Sequence, residues 1–225
     1  MLFSVAVNPS PTATVPRPEP ALGRPLIQIV AIAGASGSGK TYLSTYVAKR
    51  LRAPVLSFDS YYLDLAHLSL AERAQWNFDH PASLDWPLLR SQLAALREGL
   101  AVDVPVYDFS THTRSSRVCR VQAGEYLVLE GIFALHDAEV RSMLSVGVFI
   151  EFEDDGCLGR RMARDVAERG RTPACVMEQY RRTVRPMYLE YIAPTRSHAQ
   201  LVVSGDSPVD ESLAAIRASL AGKLR

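Results

Sequence analysis

The glycine-rich segment at residues 34–41 constrains the fold more than any other feature of the sequence. It reads GASGSGKT and matches the pattern GxxxxGK(S/T) in full. The apolar run at residues 26–33 predicts a buried strand before it, and residues 41–51, with Leu43 and Val47 four positions apart, predict a helix after it. At such a turn, consecutive backbone N–H groups can surround phosphate oxygens at the positive end of the helix dipole. The segment therefore predicts a phosphate-binding loop; the alternative is a glycine-rich turn without a ligand.

The last two side chains of this loop extend the prediction to ATP and its metal ion. We expect Lys40 to reach the β- and γ-phosphates and the Thr41 hydroxyl to bind Mg²⁺. The predicted phosphate-binding residues are Gly34, Ala35, Ser36, Gly37, Ser38, Gly39, Lys40 and Thr41.

Beyond residue 25, short apolar runs alternate with amphipathic segments, which is typical of a mostly parallel sheet covered by helices. Together with the loop, this pattern predicts the P-loop NTPase form of the α/β class, a three-layer sandwich. Residues 102–109 and 117–121 predict an edge β-hairpin, since Pro105 is best tolerated at an edge. Further strands are predicted at residues 55–58, 126–129, 146–152 and 201–203. Helices are predicted at 88–97, with Asp85 as the N-cap before it, at about 155–169, at 173–191 and from 210 onward.

Proline distribution and composition set the domain organisation and exclude several function classes. Six of the 14 prolines lie between residues 8 and 25, which predicts a flexible tail at 1–25 ahead of one domain at 26–225. No apolar run approaches the ~18–20 residues of a membrane helix. The formal net charge is +1, so neither nucleic acid nor a membrane is an expected partner. Three cysteines without CxxC spacing favour a reducing compartment, and we expect a cytoplasmic protein.

Two carboxylates follow predicted strands, at the edge of the sheet where ligands bind in α/β folds. Asp59 follows the strand at 55–58, and Glu130 follows the strand at 126–129. Asp59 could accept a proton from an incoming hydroxyl, while Glu130 could complete the Mg²⁺ site. Either acid alone is more typical of a helix cap or a solvated loop, so this prediction depends on the neighbouring phosphate loop.

Arginines are dense in the predicted helix that follows residue 155. Arg161 and Arg164 lie on the flank of its apolar stripe, which predicts a helical lid whose guanidinium groups neutralise a transferring phosphoryl group. Arg161 with Asp165, and Arg164 with Glu168, are four residues apart and could instead form only ion pairs.

Aromatic and polar residues in two other segments could form a slot for a flat heterocycle. Phe78 precedes Asp79, and Tyr107 lies shortly before His112. Taken singly, each aromatic ring is more typical of a core, and a histidine in a polar loop is usually exposed.

In order and spacing, these motifs resemble the uridine kinase family of P-loop kinases, within the phosphoribulokinase and uridine kinase group. The resemblance covers about residues 26–203. It is carried by GASGSGKT at 34–41, DSYY at 59–62, NFDHP at 77–81, PVYDF at 105–109, EG at 130–131, RR followed by ERGR at 160–171, and YIAPT at 191–195. It implies transfer of the ATP γ-phosphoryl group to the 5′-hydroxyl of uridine or cytidine, giving UMP or CMP in pyrimidine salvage, with Mg²⁺ and commonly in a homotetramer.

The resemblance also implies a role for each matching position. The implied catalytic residues are Asp59, Lys40, Arg164 and Arg169; the nucleoside-binding residues are Asp59, Phe78, Asp79, Tyr107, His112, Arg161, Arg171 and Gln179; and the metal ligands are Thr41 and Glu130. The chain departs from the family pattern at 199–206, AQLVVSGD, in the region expected near the donor base.

Two other functions stay open. A kinase of another small alcohol, such as a different nucleoside, a sugar phosphate or pantothenate, would share the loop and the lid and differ in the slot. A sugar phosphate would require basic groups there. A regulatory protein that binds ATP without turnover would need neither Asp59 nor the set of arginines.

Overall fold

The computed structural model describes residues 26–222, so the tail predicted at residues 1–25 lies outside the described part of the chain. Its strands are β1 (Gln28–Gly34), β2 (Val55–Ser57), β3 (Val102–Asp108), β4 (Thr113–Val121), β5 (Tyr126–Glu130), β6 (Val146–Glu151) and β7 (Leu201–Ser204). Its α-helices are α1 (Lys40–Leu51), α2 (Leu70–Gln75), α3 (Trp86–Arg97), α4 (Ala138–Ser142), α5 (Asp154–Arg169), α6 (Pro173–Gln179), α7 (Arg185–Met187) and α8 (Val209–Gly222).

Five strands form a parallel sheet in the order β2-β5-β1-β6-β7, which confirms the predicted parallel sheet. The strand that leads into the glycine-rich loop, β1, is central, with β5 on one side and β6 on the other. Because all five strands run the same way, their carboxyl ends lie at one edge of the sheet. The glycine-rich loop, Asp59 and Glu130 therefore lie along that edge.

The two faces of the sheet pack against different helices, which makes the three predicted layers. Adjacent residues of β1 point to opposite faces. Ile29 packs in one buried cluster with the leucines of α3, whereas Val30 packs in the other with apolar residues of α1 and α8. The helix residues in these clusters are Leu89, Leu93 and Leu96 on one face, and Leu43, Val47, Leu213, Ile216 and Leu220 on the other.

The predicted hairpin is present, and β3 and β4 form a separate two-stranded sheet. The expectation that residues 110–116 are all loop is wrong in its second half, because β4 begins at Thr113 and not at Arg117. Every residue of β4 is at least partly exposed, so this strand forms without a buried apolar face that would mark its start in the sequence. Arg114 is fixed from outside the hairpin by the Asp85 carboxylate, 3.0 Å from its Nη1.

The segment predicted as one helix at residues 173–191 is interrupted. After α6 the chain forms a π-helical turn at Tyr180–Val184, then α7, a second π-helical turn at Tyr188–Ile192 and a 3₁₀ turn at Ala193–His198. Such π-helical turns widen a helix locally and are frequent at functional sites. The short helices α2 and α4 lay in regions for which we predicted no element. Among residues 26–222, no helix is long and apolar enough to cross a membrane.

Candidate active site

The glycine-rich loop joins β1 to α1 by a path that only glycine can follow at Gly37. The φ angle there is 89°, and an added Cβ would lie 2.2 Å from the Cys157 carbonyl oxygen. Gly39, with a φ of 99°, immediately precedes α1. The loop therefore packs directly against the start of α5 and presents its backbone at the amino end of α1, as expected for binding phosphate.

Lys40 is buried, and its Nζ donates a hydrogen bond to the Ala35 carbonyl oxygen at 2.8 Å. Burial lowers the pKa of this ammonium group, while the nearby carboxylates of Glu130 and Asp59 act in the opposite direction. The contact with Ala35 holds the ammonium across the loop, where the two carboxylates face it.

Asp59 lies in a 3₁₀ turn, Phe58–Tyr61, that directly follows β2. Its backbone N–H donates to the Ser57 hydroxyl at 3.3 Å, which fixes the start of this turn. Burial raises the pKa of the Asp59 carboxyl group, and the positive charges of Lys40 and Arg169 partly offset that rise. Asp59 is therefore a desolvated carboxylate that faces the cations of the phosphate region, as a general base for a hydroxyl requires.

Glu130 ends β5 and is nearly buried. The Thr41 hydroxyl donates to one of its oxygens and the Ser57 hydroxyl to the other, each at 3.4 Å. Burial raises the pKa of Glu130, with Lys40 acting against it. Mg²⁺ prefers oxygen ligands and usually takes only one or two from the protein, the rest coming from phosphates and water. The pair Thr41 and Glu130 fits that requirement.

A single cleft brings the predicted side chains together. Its space, including the open mouth, is about 780 Å³. The predicted residues that line it are Ser36, Lys40, Thr41, Asp59, Phe78, Asp79, Tyr107, His112, Glu130, Arg161, Arg164, Arg169, Arg171 and Gln179. The other predicted loop residues, Gly34, Ala35, Gly37, Ser38 and Gly39, do not line this cleft.

Aromatic rings cover the end of the cleft away from the loop. Phe78 stacks on His112 with centroids 5.0 Å apart, and Tyr62 contacts both Phe78 and Tyr107, at 5.2 and 5.4 Å. These rings are in direct contact, so a flat base would lie along the cluster or part its rings, rather than enter an open slot. Burial and the charge of Arg171 lower the pKa of His112, which keeps the imidazole neutral at pH 7.

Several polar side chains of the cleft are joined by hydrogen bonds. The Thr183 hydroxyl, in the first π-helical turn, donates to the Asp79 carboxylate at 3.4 Å. The Gln179 side-chain oxygen accepts hydrogen bonds from Arg171 at 2.6 Å and from Arg161 at 3.1 Å. The π-helical turn thus brings a hydroxyl to Asp79, a contact that a regular helical pattern does not predict.

Tyr62 and Asp165 are among the residues of the site that were not predicted. Tyr62 lines the cleft, and its only signal was membership of the DSYY segment. Asp165 is fully buried and lies near four arginines, although the sequence spacing indicated only an ordinary ion pair with Arg161. No signal in the sequence distinguished Asp165 from Glu168, the other acid among these arginines.

A second cavity lies on the other side of the loop, beside α1, α5, β7 and the start of α8. Arg160 covers it, with its guanidinium 3.8 Å from the centroid of the Phe152 ring and 3.1 Å from the Asp206 carboxylate. Gly205 follows β7 at its floor, where an added Cβ would lie 2.8 Å from the Ser38 carbonyl oxygen. This cavity adjoins the residues that depart from the family pattern.

A glycine-rich loop with a buried lysine at the end of a central parallel strand, facing a carboxylate across a cleft, defines a P-loop phosphotransferase. Comparison with known proteins refines this class: the chain belongs to the phosphoribulokinase / uridine kinase family, whose model matches residues 29–210.

Two relatives and one solved structure illustrate the similarity. The chain is 43% identical over 182 residues to a uridine kinase of Tolumonas auensis, covering 78% of this chain and 85% of that protein. It is 43% identical over 178 residues to a uridine kinase of Deinococcus deserti, covering 78% and 86%. The fold is shared with phosphoribulokinase from Rhodobacter spheroides, with a TM-score of 0.57, 15% identity, and coverage of 83% of this chain and 75% of that one.

Proposed function

We propose that this protein is a pyrimidine nucleoside kinase, which transfers the γ-phosphoryl group of ATP to the 5′-hydroxyl of uridine or cytidine and releases UMP or CMP. The observation that carries the proposal is the shared cleft, in which Asp59 faces Lys40 and aromatic rings close the far end. The two relatives named above as uridine kinases support it.

The acceptor hydroxyl lies beside Asp59 in this proposal. The Asp59 carboxylate accepts the hydroxyl proton as the oxygen attacks the γ-phosphorus, and the bond to the leaving ADP oxygen breaks. Its desolvation raises the pKa of Asp59 and strengthens it as a base, and the positive charges of Lys40 and Arg169 partly offset that rise. Because little covalent chemistry is needed, most of the rate comes from positioning and from stabilising charge.

Cations surround the position of the transferring group. Lys40 reaches the β- and γ-phosphates from the loop, and Arg164 and Arg169 approach from the lid. Thr41 and Glu130 would hold Mg²⁺, which would neutralise part of the negative charge of the ATP phosphates.

The other end of the cleft binds the nucleoside. Asp79 and Arg171 hold the ribose hydroxyls, and Phe78 and Tyr107 contact the faces of the base. The neutral imidazole of His112 can both donate and accept, so together with Gln179 it can bind the polar edge of a pyrimidine. The aromatic lining favours a nucleoside over a sugar phosphate, whose acceptor site would need basic groups in place of these rings.

The second cavity suits the donor base. Arg160 and the loop at residues 204–207 border it, and it opens next to the glycine-rich loop. We place the adenine of ATP there. The family resemblance further supports a cytoplasmic homotetramer that acts on small molecules alone, with the kinase domain at residues 26–225.

The test is release of ADP from Mg²⁺-ATP with a panel of acceptors: uridine, cytidine, purine nucleosides, ribulose 5-phosphate and pantothenate. We expect the highest kcat/KM with uridine or cytidine. Preference for a sugar phosphate or pantothenate would replace this function with the kinase of another alcohol. ATP binding without ADP release from any acceptor would favour the regulatory protein.

A further inference from the structure

Asp165 is the one carboxylate that lies within ion-pair distance of four arginines in the described residues, and the proposed chemistry gives it no role. Its side chain is fully buried in the lid helix α5. The two oxygens of the carboxylate contact different arginines. Oδ1 lies 2.9 Å from Arg164 and 3.5 Å from Arg169, whereas Oδ2 lies 3.0 Å from Arg171 and 3.7 Å from Arg161.

This division follows the two halves of the cleft. The partners of Oδ1 are the arginines proposed to bind phosphate, and the partners of Oδ2 are those proposed to bind the nucleoside. We infer that Asp165 is a positioning residue that couples the binding of the two substrates; this inference rests on the proposed function. When the donor phosphates bind, they draw Arg164 and Arg169 away from the carboxylate. The charge of Asp165 is then left to hold Arg161 and Arg171 in place for the nucleoside.

The charge balance supports competition for this carboxylate. One negative charge faces four guanidinium groups, of which three are 27–34% exposed and open to solvent, while Arg161 is nearly buried. Burial alone would raise the pKa of Asp165, but the guanidinium groups outweigh it and hold the pKa below its ordinary value. A triphosphate in the loop offers Arg164 and Arg169 several new anionic oxygens, and charge-assisted bonds of this kind are the strong ones.

Hydrogen bonds already hold Arg161 and Arg171, the two arginines proposed to bind the nucleoside. A small gain in their attraction to the Asp165 carboxylate is therefore enough to fix them. Arg161 donates to the Ser36 hydroxyl of the phosphate loop at 2.8 Å and to Gln179 at 3.1 Å. Arg171 donates to Gln179 at 2.6 Å, and its backbone N–H donates to the Asp165 carbonyl oxygen at 3.1 Å. Asp165 therefore anchors Arg171 through both its side chain and its backbone.

The coupling has a defined sign. A donor nucleotide should raise the affinity for the nucleoside, and by linkage the nucleoside should raise the affinity for the donor by the same factor. We expect a factor of roughly 5–20, within the usual range for coupled sites.

Calorimetric titration of uridine into the full-length protein tests this, with and without saturating Mg²⁺ and the non-hydrolysable β,γ-imido analogue of ATP. In the wild type, the uridine Kd should fall roughly 5–20-fold with the analogue. In Asp165→Asn, which keeps the shape and removes the charge, the change should shrink to less than about twofold, and Asp165→Glu should restore part of it. Asp137→Asn is the matched control, since Asp137 pairs with Arg90 at a distance from the cleft and should leave the coupling intact.

A second variant should raise uridine affinity, whereas general damage to the site would lower it. Arg164→Gln removes a competitor for Oδ1, so without nucleotide its uridine affinity should rise towards the value that the wild type reaches with the analogue. This variant decides the question if Asp165→Asn does not fold.

The outcomes separate this inference from the proposed function. A wild type that binds the ATP analogue but neither uridine nor cytidine would overturn the proposed function and this inference with it. Uridine binding that is independent of the analogue, unchanged coupling in folded Asp165→Asn, or weaker uridine binding in Arg164→Gln would overturn the inference alone.

Discussion

The cleft has two halves, which we propose to bind phosphate and nucleoside and call the phosphate half and the nucleoside half. The two halves are built in different ways. The phosphate half is a run of eight consecutive residues, 34–41, whose shape comes from glycine backbone and one buried lysine. The nucleoside half collects single side chains from distant segments: Asp59 after β2, Phe78 and Asp79 before α3, Tyr107 on β3, Arg161 on α5 and Gln179 at the end of α6.

This difference determines which changes each half tolerates. Apart from Lys40 and Thr41, a loop that binds through its backbone should be sensitive to an added Cβ and rather insensitive to polar side-chain exchange. A cleft made of side chains should respond to each side chain by its chemistry, with the backbone unaffected. Substitutions at the junction of the two halves should have the largest effect, because they act on the transferring group itself.

Asp59→Asn tests that junction. The amide cannot accept the hydroxyl proton, so kcat should fall by roughly 10²–10⁴ with a modest change in nucleoside affinity. Steady-state kinetics with uridine and Mg²⁺-ATP measure both values. The matched control is Asp103→Asn, an exposed acid paired with Arg120 on the hairpin, which should keep the wild-type kcat. Wild-type turnover in Asp59→Asn would remove this residue from the mechanism.

Gly37→Ala tests the phosphate half alone. The new Cβ would meet the Cys157 carbonyl oxygen at 2.2 Å, and the residue would have to keep a φ of 89°. We expect kcat/KM for ATP to fall by roughly 10²-fold as the loop shifts. The free energy of unfolding should fall by roughly 1–3 kcal/mol, as for other strained backbone positions.

The control for this variant is Gly159→Ala in α5, where an added Cβ meets nothing within 4 Å. It should leave kcat/KM for ATP unchanged and stabilise the protein by roughly 0.5–1 kcal/mol, since alanine favours a helix over glycine. Equal loss of activity in the two alanine variants would contradict the account of the loop.

The pH dependence of the reaction tests the ionisation of the Asp59 carboxyl group without changing the residue. The carboxylate must be ionised to accept a proton, and burial raises its pKa above the ordinary value of 3.8. Activity should therefore decline as the pH falls, by about tenfold per unit below the apparent pKa. The acidic limb should lie at a higher pH than an exposed aspartate would give, and it should disappear in Asp59→Asn. A limb that persists in the variant would belong to another group.

The sequence predicts the phosphate half better than the nucleoside half. The loop, the strand before it and the helix after it depend on neighbouring residues, and the structure confirms all three elements. The start of α3 was also predictable, because Asp85 caps it by accepting a hydrogen bond from the Leu88 backbone at 3.1 Å. Local signals of this kind need no knowledge of the rest of the fold.

The features that were missed depend on the folded arrangement, which local sequence signals do not specify. Residues 113–116 show no apolar alternation that would indicate the start of β4, and Arg114 is held there by the Asp85 carboxylate of another segment. The π-helical turn at Thr183 brings its hydroxyl to Asp79, more than a hundred residues away. Asp165 looked like half of an ordinary helical ion pair, and only the folded lid reveals its other arginines. The chemistry of the nucleoside half was thus visible as residue types, but its arrangement was not.

His112→Asn isolates the nucleoside half and should have the smallest effect. Asparagine tolerates the left-handed backbone at this position, where φ is 54°, so the turn of the hairpin should survive. The substitution removes the neutral imidazole ring, which stacks on Phe78 and which we propose to bind the polar edge of the base. We expect the KM for uridine to rise roughly tenfold, as for loss of one stacking or hydrogen-bonding contact, with kcat and the KM for ATP little changed.

His67→Asn, at an exposed position outside the cleft, is the control. An unchanged KM for uridine would place the base elsewhere in the cleft, whereas equal changes for uridine and ATP would show that the two halves are not separable at this residue.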